Sequence, residues 1–136
     1  MGYVTYFLDL AGDHDGAIEV LLENRDTLGI QPTVRLWIEN RLARLYRYTG
    51  QNRLADAAMQ NAADIVETID NPGATALLEF ANTAALRGNV EEMFALSRRL
   101  LDNLPDDAYR YPDFAVIVAS LYVDVGLLDE AVDLLE

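Results

Sequence analysis

Glycine returns at a fixed interval along this chain: Gly12, Gly50, Gly88 and Gly126 stand 38 residues apart. A period of that length commits a sequence to stacked copies of one small unit, because no single copy can bury its own apolar face. The columns around the glycines repeat as well. Eight residues before them come Val4, Leu42, Phe80 and Val118, all large and apolar, and seven before come Thr5, Ala43, Ala81 and Ala119, all small. Four before come Leu8, Tyr46, Ala84 and Tyr122. Five residues after them stand Ala17, Ala55, Met93 and Ala131, and eight after stand Val20, Ala58, Leu96 and Leu134. Large and small apolar columns separated by three and four positions describe helices that approach one another closely.

The glycine falls where one helical pattern stops and the next begins, the left-handed position that glycine occupies at low steric cost. Each unit is therefore expected to be two antiparallel helices around a short turn. The spacing predicts first helices over 3–11, 33–49, 74–87 and 112–125, and second helices over 15–28, 52–69, 90–103 and 128–136. Asn89 with Glu92 three residues later resembles a capping box, and Pro32, Pro72, Pro105 and Pro112 lie between units rather than inside helices.

The order large apolar, small, two variable, aromatic, three variable, Gly, four variable, Ala resembles the tetratricopeptide repeat. It is fullest in Leu42, Ala43, Tyr46, Gly50, Ala55 and Ala62, and recurs in Val118, Ala119, Tyr122, Gly126 and Ala131; Pro105 alone matches the family's terminal proline. The resemblance implies an all-α fold, a right-handed superhelical α-solenoid of antiparallel helix pairs with about three and a half repeats over residues 1–136. The family period is 34. The four extra residues here, about one helical turn, fall in the loop-like stretches 28–33, 70–73 and 104–112. With about three turns of helix before Gly12 and an amphipathic run at 128–136, without polar capping repeats, the chain reads as a segment of a longer repeat protein.

Composition narrows the partners. There are 23 acidic residues against 10 basic ones, a net charge of −13, and every basic residue is Arg. Such a surface repels polyphosphate and anionic membranes, so neither nucleic-acid binding nor membrane contact by this segment is expected. Cysteine is absent and His14 is the single histidine, which excludes thiolate and multi-histidine metal sites. The compartment, cytoplasmic or periplasmic, stays open.

Catalytic candidates are sparse, and no enzymatic activity, metal or cofactor is expected. His14 lies beside Asp13 and Asp15 in a turn, without a positioned nucleophile, and reads as a solvated residue near a helix start. Asp106–Asp107 and Glu91–Glu92 lack the alternating oxygen ligands of a calcium loop, and the glutamates suit the first turn of a helix. The glycines are dispersed rather than clustered, so no phosphate-cradling loop is present.

Helix 33–49 carries the most local information. At 100° per residue Val34, Ile38, Leu42 and Leu45 share one face, while Asn40, Arg44 and Arg47 share another, bordered by Trp37 and Tyr48. Four of the ten arginines, Arg35, Arg41, Arg44 and Arg47, lie in it. In the tetratricopeptide family the first helix of each repeat lines the concave groove, and the resemblance places Trp37, Asn40, Arg44, Arg47 and Tyr48 there, with Leu78 and Asn82 in the following repeat. Arginine with Trp and Tyr is also the composition of binding hot spots. The bland alternative is that these arginines neutralise acidic neighbours. The equivalent positions further on, Leu78, Asn82, Ala85 and Leu86, then Val116, Ser120, Val123 and Asp124, are more apolar than a solvated groove, and core packing is expected of them. The family's carboxylate clamp of Lys with Asn has no counterpart in a chain without Lys.

The expected function is a protein-binding scaffold that holds a partner peptide or stacks with adjacent repeats, end-to-end self-association included. An alternative is a periplasmic scaffold of a bacterial exopolysaccharide secretion system, where an acidic surface would suit a cationic polymer. A helical-repeat RNA binder shares the architecture but would require basic groove stripes, which a net charge of −13 opposes.

Overall fold

A computed structural model of the protein describes residues 12–27, 29–103 and 112–135. The described residues form seven helices and no strand: α1 (His14–Arg25), α2 (Pro32–Tyr48), α3 (Asn52–Val66), α4 (Ala74–Leu86), α5 (Val90–Asp102), α6 (Pro112–Asp124) and α7 (Leu128–Leu135). The all-α expectation holds, and three packed helix pairs, α2 with α3, α4 with α5 and α6 with α7, stand around the glycines at 50, 88 and 126. The first helix expected over 3–11 lies outside the described residues, as do Leu28 and Pro105.

The turn explains the register. Gly12, Gly50, Gly88 and Gly126 all have positive φ, between 75° and 86°. At the last three, the residue after the glycine donates its N–H back to the carbonyl four before it: Gln51 to Tyr46 at 2.8 Å, Asn89 to Ala84 at 2.9 Å and Leu127 to Tyr122 at 2.7 Å. This six-to-one bond satisfies a carbonyl that the helix end would leave unpaired. The carbonyl of that same residue then accepts from the N–H of Ala55, Met93 and Ala131, opening the next helix. One residue thus closes one helix and starts another, and the chain doubles back so that α2 packs on α3, α4 on α5 and α6 on α7. The small columns make the approach close: Ala43, Ala81 and Ala119, with Ala17, Ala55, Met93 and Ala131, are all buried.

Caps and ends follow local chemistry. Asp13 Oδ1 accepts from the N–H of Gly16 at 2.9 Å at the start of α1. Asn89 Oδ1 accepts from the N–H of Glu92, and Asn89 Nδ2 donates to Glu92 Oε2 at 2.8 Å, so the two expected capping residues do bond each other. Pro32 and Pro112 open α2 and α6, the position where a missing N–H costs nothing. Two helices stop short of the expected bounds. α1 ends at Arg25 because Asn24 turns its amide onto the carbonyl of Val20 at 2.8 Å, with Gly29 at φ 81° soon after. α3 ends at Val66, where the Thr68 hydroxyl takes the carbonyl of Ile65 at 2.7 Å.

The chain divides into two compact units, Met1–Asp70 and Asn71–Glu136. In the first, α1 packs on α2 and α2 on α3. In the second, α4 and α5 both pack on α6. Its core centres on Met93, Leu100, Val118, Leu121 and Tyr122, and the Phe94 and Tyr122 rings stack with centroids 5.4 Å apart. In both units, then, the second helix of one pair meets the first helix of the next.

Candidate functional site

α2 buries Leu36, Ile38, Glu39, Asn40, Leu42, Ala43, Leu45 and Tyr46, so Ile38, Leu42 and Leu45 of the expected apolar face are interior while Val34 is exposed. Arg41 and Arg44, about one turn apart, reach the same side, where the end of α2 passes the start of α1. There His14, Arg41, Arg44, Leu45 and Tyr48 line a cleft of about 280 Å³. The His14 and Tyr48 rings stack nearly parallel, 5.6 Å between centroids and 12° between planes. Arg41 also lies over the Trp37 ring, its guanidinium carbon 5.9 Å from the centroid, at the outer limit of a cation–π contact. His14 Nδ1 and Arg41 Nε are shielded from solvent. The described lining holds two guanidinium groups, an imidazole and a phenol. Planar donors beside aromatic faces suit an anionic group or a planar one.

The expected groove residues divide. Arg44 and Tyr48 meet in the cleft, with Tyr48 70% exposed, and Trp37 borders it through Arg41. Arg47 points elsewhere and places Nη2 3.0 Å from Met59 Sδ on α3. Asn40 is only 5% exposed, so it belongs to the interior of its unit rather than to an open face. In the second unit Leu78 is 7% exposed, and Asn82 is half-buried with its amide 3.5 Å from Glu79 Oε1. Core packing expected for the later positions holds for Leu78 and Leu86, whereas Val116, Ser120, Val123 and Asp124 are exposed.

Two features of the structure differ from what the sequence predicts. His14, expected to be a solvated turn residue, forms one wall of the cleft, since Asp13 caps α1 and the helix begins with the imidazole stacked on Tyr48. The second is an ion pair. Arg25 at the end of α1 donates Nε to Glu39 Oε1 at 2.7 Å and Nη2 to Oε2 at 2.8 Å, a bidentate pair in which the carboxylate side chain is 7% exposed and the guanidinium 28%. The hydrogen bonds to Glu39 hold the Arg25 guanidinium above its ordinary value against the opposing effect of burial. A signal for it was present: Glu39 sits on the helical stripe of Leu36, Ala43 and Tyr46, where a lone carboxylate requires a partner. The pair borders a second cleft, about 410 Å³, with Arg35, Asp26, Asn61, Asp64 and Ile65, whose mixed charges offer no net preference.

Among the described residues no group of three or more His, Asp and Glu side chains could hold a metal ion, and no helix is long and apolar enough to cross a membrane. No family model matches the chain, and no curated protein or solved structure matches it.

Proposed function

We propose that the chain is a helical-repeat scaffold of tetratricopeptide type, a right-handed superhelical stack of helix pairs, that holds an acidic segment of a partner protein against the start of α1 and the end of α2. The 38-residue glycine turn and the buried small columns support the repeat reading. The observation that carries the binding reading is the gathering of Arg41, Arg44, His14 and Tyr48 in one cleft of a chain whose net charge is −13. Bidentate guanidinium contacts would take the partner's carboxylates, and the Tyr48 and Trp37 rings would take an aromatic or apolar anchor.

Selection from a displayed random peptide library tests this. Peptides rich in Asp or Glu around an aromatic residue are expected, with binding at least tenfold weaker in the Arg41→Glu/Arg44→Glu chain and little changed in Arg47→Glu. Selected peptides without acidic residues, or binding indifferent to the double substitution, would overturn the reading.

A further inference from the structure

The chain carries sulfur only in methionine, at Met1, Met59 and Met93. Met1 lies outside the described residues, and Met93 is fully buried in the core of the second unit. Met59 is placed differently. It stands nine residues after Gly50, a position held by Leu21 on α1 and Ser97 on α5, each 0% exposed. On α3 the same position is half-buried, and the other members of its column, Asn52 and Asp56, are exposed polar residues. The Met59 side chain therefore reaches solvent where α1 and α5 seal theirs. Its sulfur is also engaged: Arg47 on α2 donates from Nη2 to Met59 Sδ at 3.0 Å.

A thioether is a weak acceptor, so a guanidinium gains little from it. A sulfoxide oxygen is polar and accepts far better. We propose that Met59 is a site of reversible oxidation by hydrogen peroxide, and that the Arg47 guanidinium holds its sulfoxide in the folded chain. In the step, the sulfur lone pair attacks one peroxide oxygen, an S–O bond forms and the O–O bond breaks. The sulfur gives up two electrons, the proton of the transferred oxygen passes to the departing one, and water leaves. The new oxygen is bonded to an atom that already has a guanidinium nitrogen 3.0 Å away, so a small movement of the exposed Arg47 side chain exchanges an N–H···S bond for an N–H···O bond. A sulfoxide ordinarily disrupts the packing around it. Here that cost is small, because Asn52 and Asp56 already make the column polar and a charge-assisted bond opposes it. Met93 is reached only when its core opens. Reduction by a methionine sulfoxide reductase restores the thioether. The site is separate from the α1–α2 cleft and does not depend on the binding reading given for it.

Treatment of the full chain with dilute hydrogen peroxide, followed by peptide mass spectrometry, reads each methionine separately. Met59 is expected to convert at least tenfold faster than Met93. Thermal melting then distinguishes a held sulfoxide from a merely exposed one. Oxidised wild type should melt where the untreated chain does, or higher, whereas oxidised Arg47→Ala should melt about 3 °C below its own untreated form. Peroxide-treated Met59→Leu, which has no sulfur at that position, gives the shift due to other oxidation, and this is subtracted. Methionine sulfoxide reductase should return oxidised Arg47→Ala to its untreated midpoint. Conversion of Met59 no faster than that of Met93 would overturn the proposal. So would an oxidised wild type that loses as much stability as oxidised Arg47→Ala, since the guanidinium would then hold nothing.

Discussion

At the scale of single residues, the recurring glycine is held by conformation and not by crowding. A Cβ at Gly50 or Gly88 would meet no heavy atom within 4 Å, yet φ is 76° and 75° there. Gly50→Ala is therefore expected to cost about 1 kcal/mol, the penalty of a left-handed L-residue, and Gly50→Asn less, read from urea unfolding midpoints. Tyr122 makes a second residue-scale case. Burial pushes its phenol up, with Glu130 acting the same way and Arg98 against. The neutral form is thus favoured in the native state, and between the unfolded tyrosine value of about 10 and the raised native value the unfolded chain holds fewer protons. Stability contributed by Tyr122 is complete below that window and falls as pH rises through it. Tyr122→Phe should flatten the loss of urea stability as pH rises above about 10.

Among the elements, α1 is joined to α2 by one ion pair as well as by packing. Arg25→Ala removes the partner of a nearly buried carboxylate and is expected to cost about 2 kcal/mol, less than a fully buried pair because the guanidinium is partly solvated. Adding Glu39→Leu should recover part of that loss, since Leu suits the stripe of Leu36 and Ala43; a double-mutant cycle in urea measures it. Most of the element layout was legible from the columns, because the 3.6-residue period and the turn chemistry are local. Both helices that end early do so through a side chain that competes for backbone carbonyls, Asn24 in one and Thr68 near the other. Such bonds depend on rotamers that composition does not specify. The His14–Tyr48 stack was not legible at all, since it joins residues 34 positions apart through the approach of two helices.

For the molecule as a whole, the division into Met1–Asp70 and Asn71–Glu136 has a counterpart in the repeat columns. The positions two, six and nine after each glycine, which on α1 and α5 include Ile18, Leu21, Val90 and Phe94, are Asn52, Asp56 and Met59 on α3. The boundary follows the one second helix whose column turns mainly polar. Each unit should then answer to its own core. Met93→Ala, at a fully buried site, is expected to cost about 2–4 kcal/mol. In native-state hydrogen exchange the lost protection should appear in α4, α5, α6 and α7, with α2 and α3 unchanged.

The helical class, the 38-residue register, the glycine turns and the small columns follow from local sequence. Each of these rests on local backbone preference or on the periodicity of one helix. Only the tertiary structure decided which polar residues leave the surface. Asn40 and Glu39 lie side by side on the same helix as Arg44 and Tyr48, and a helical projection separates them by angle but does not say which angles a neighbouring helix covers. Burial is set by the approach of α1 and α3 to α2, contacts between distant parts of the chain that no local pattern encodes.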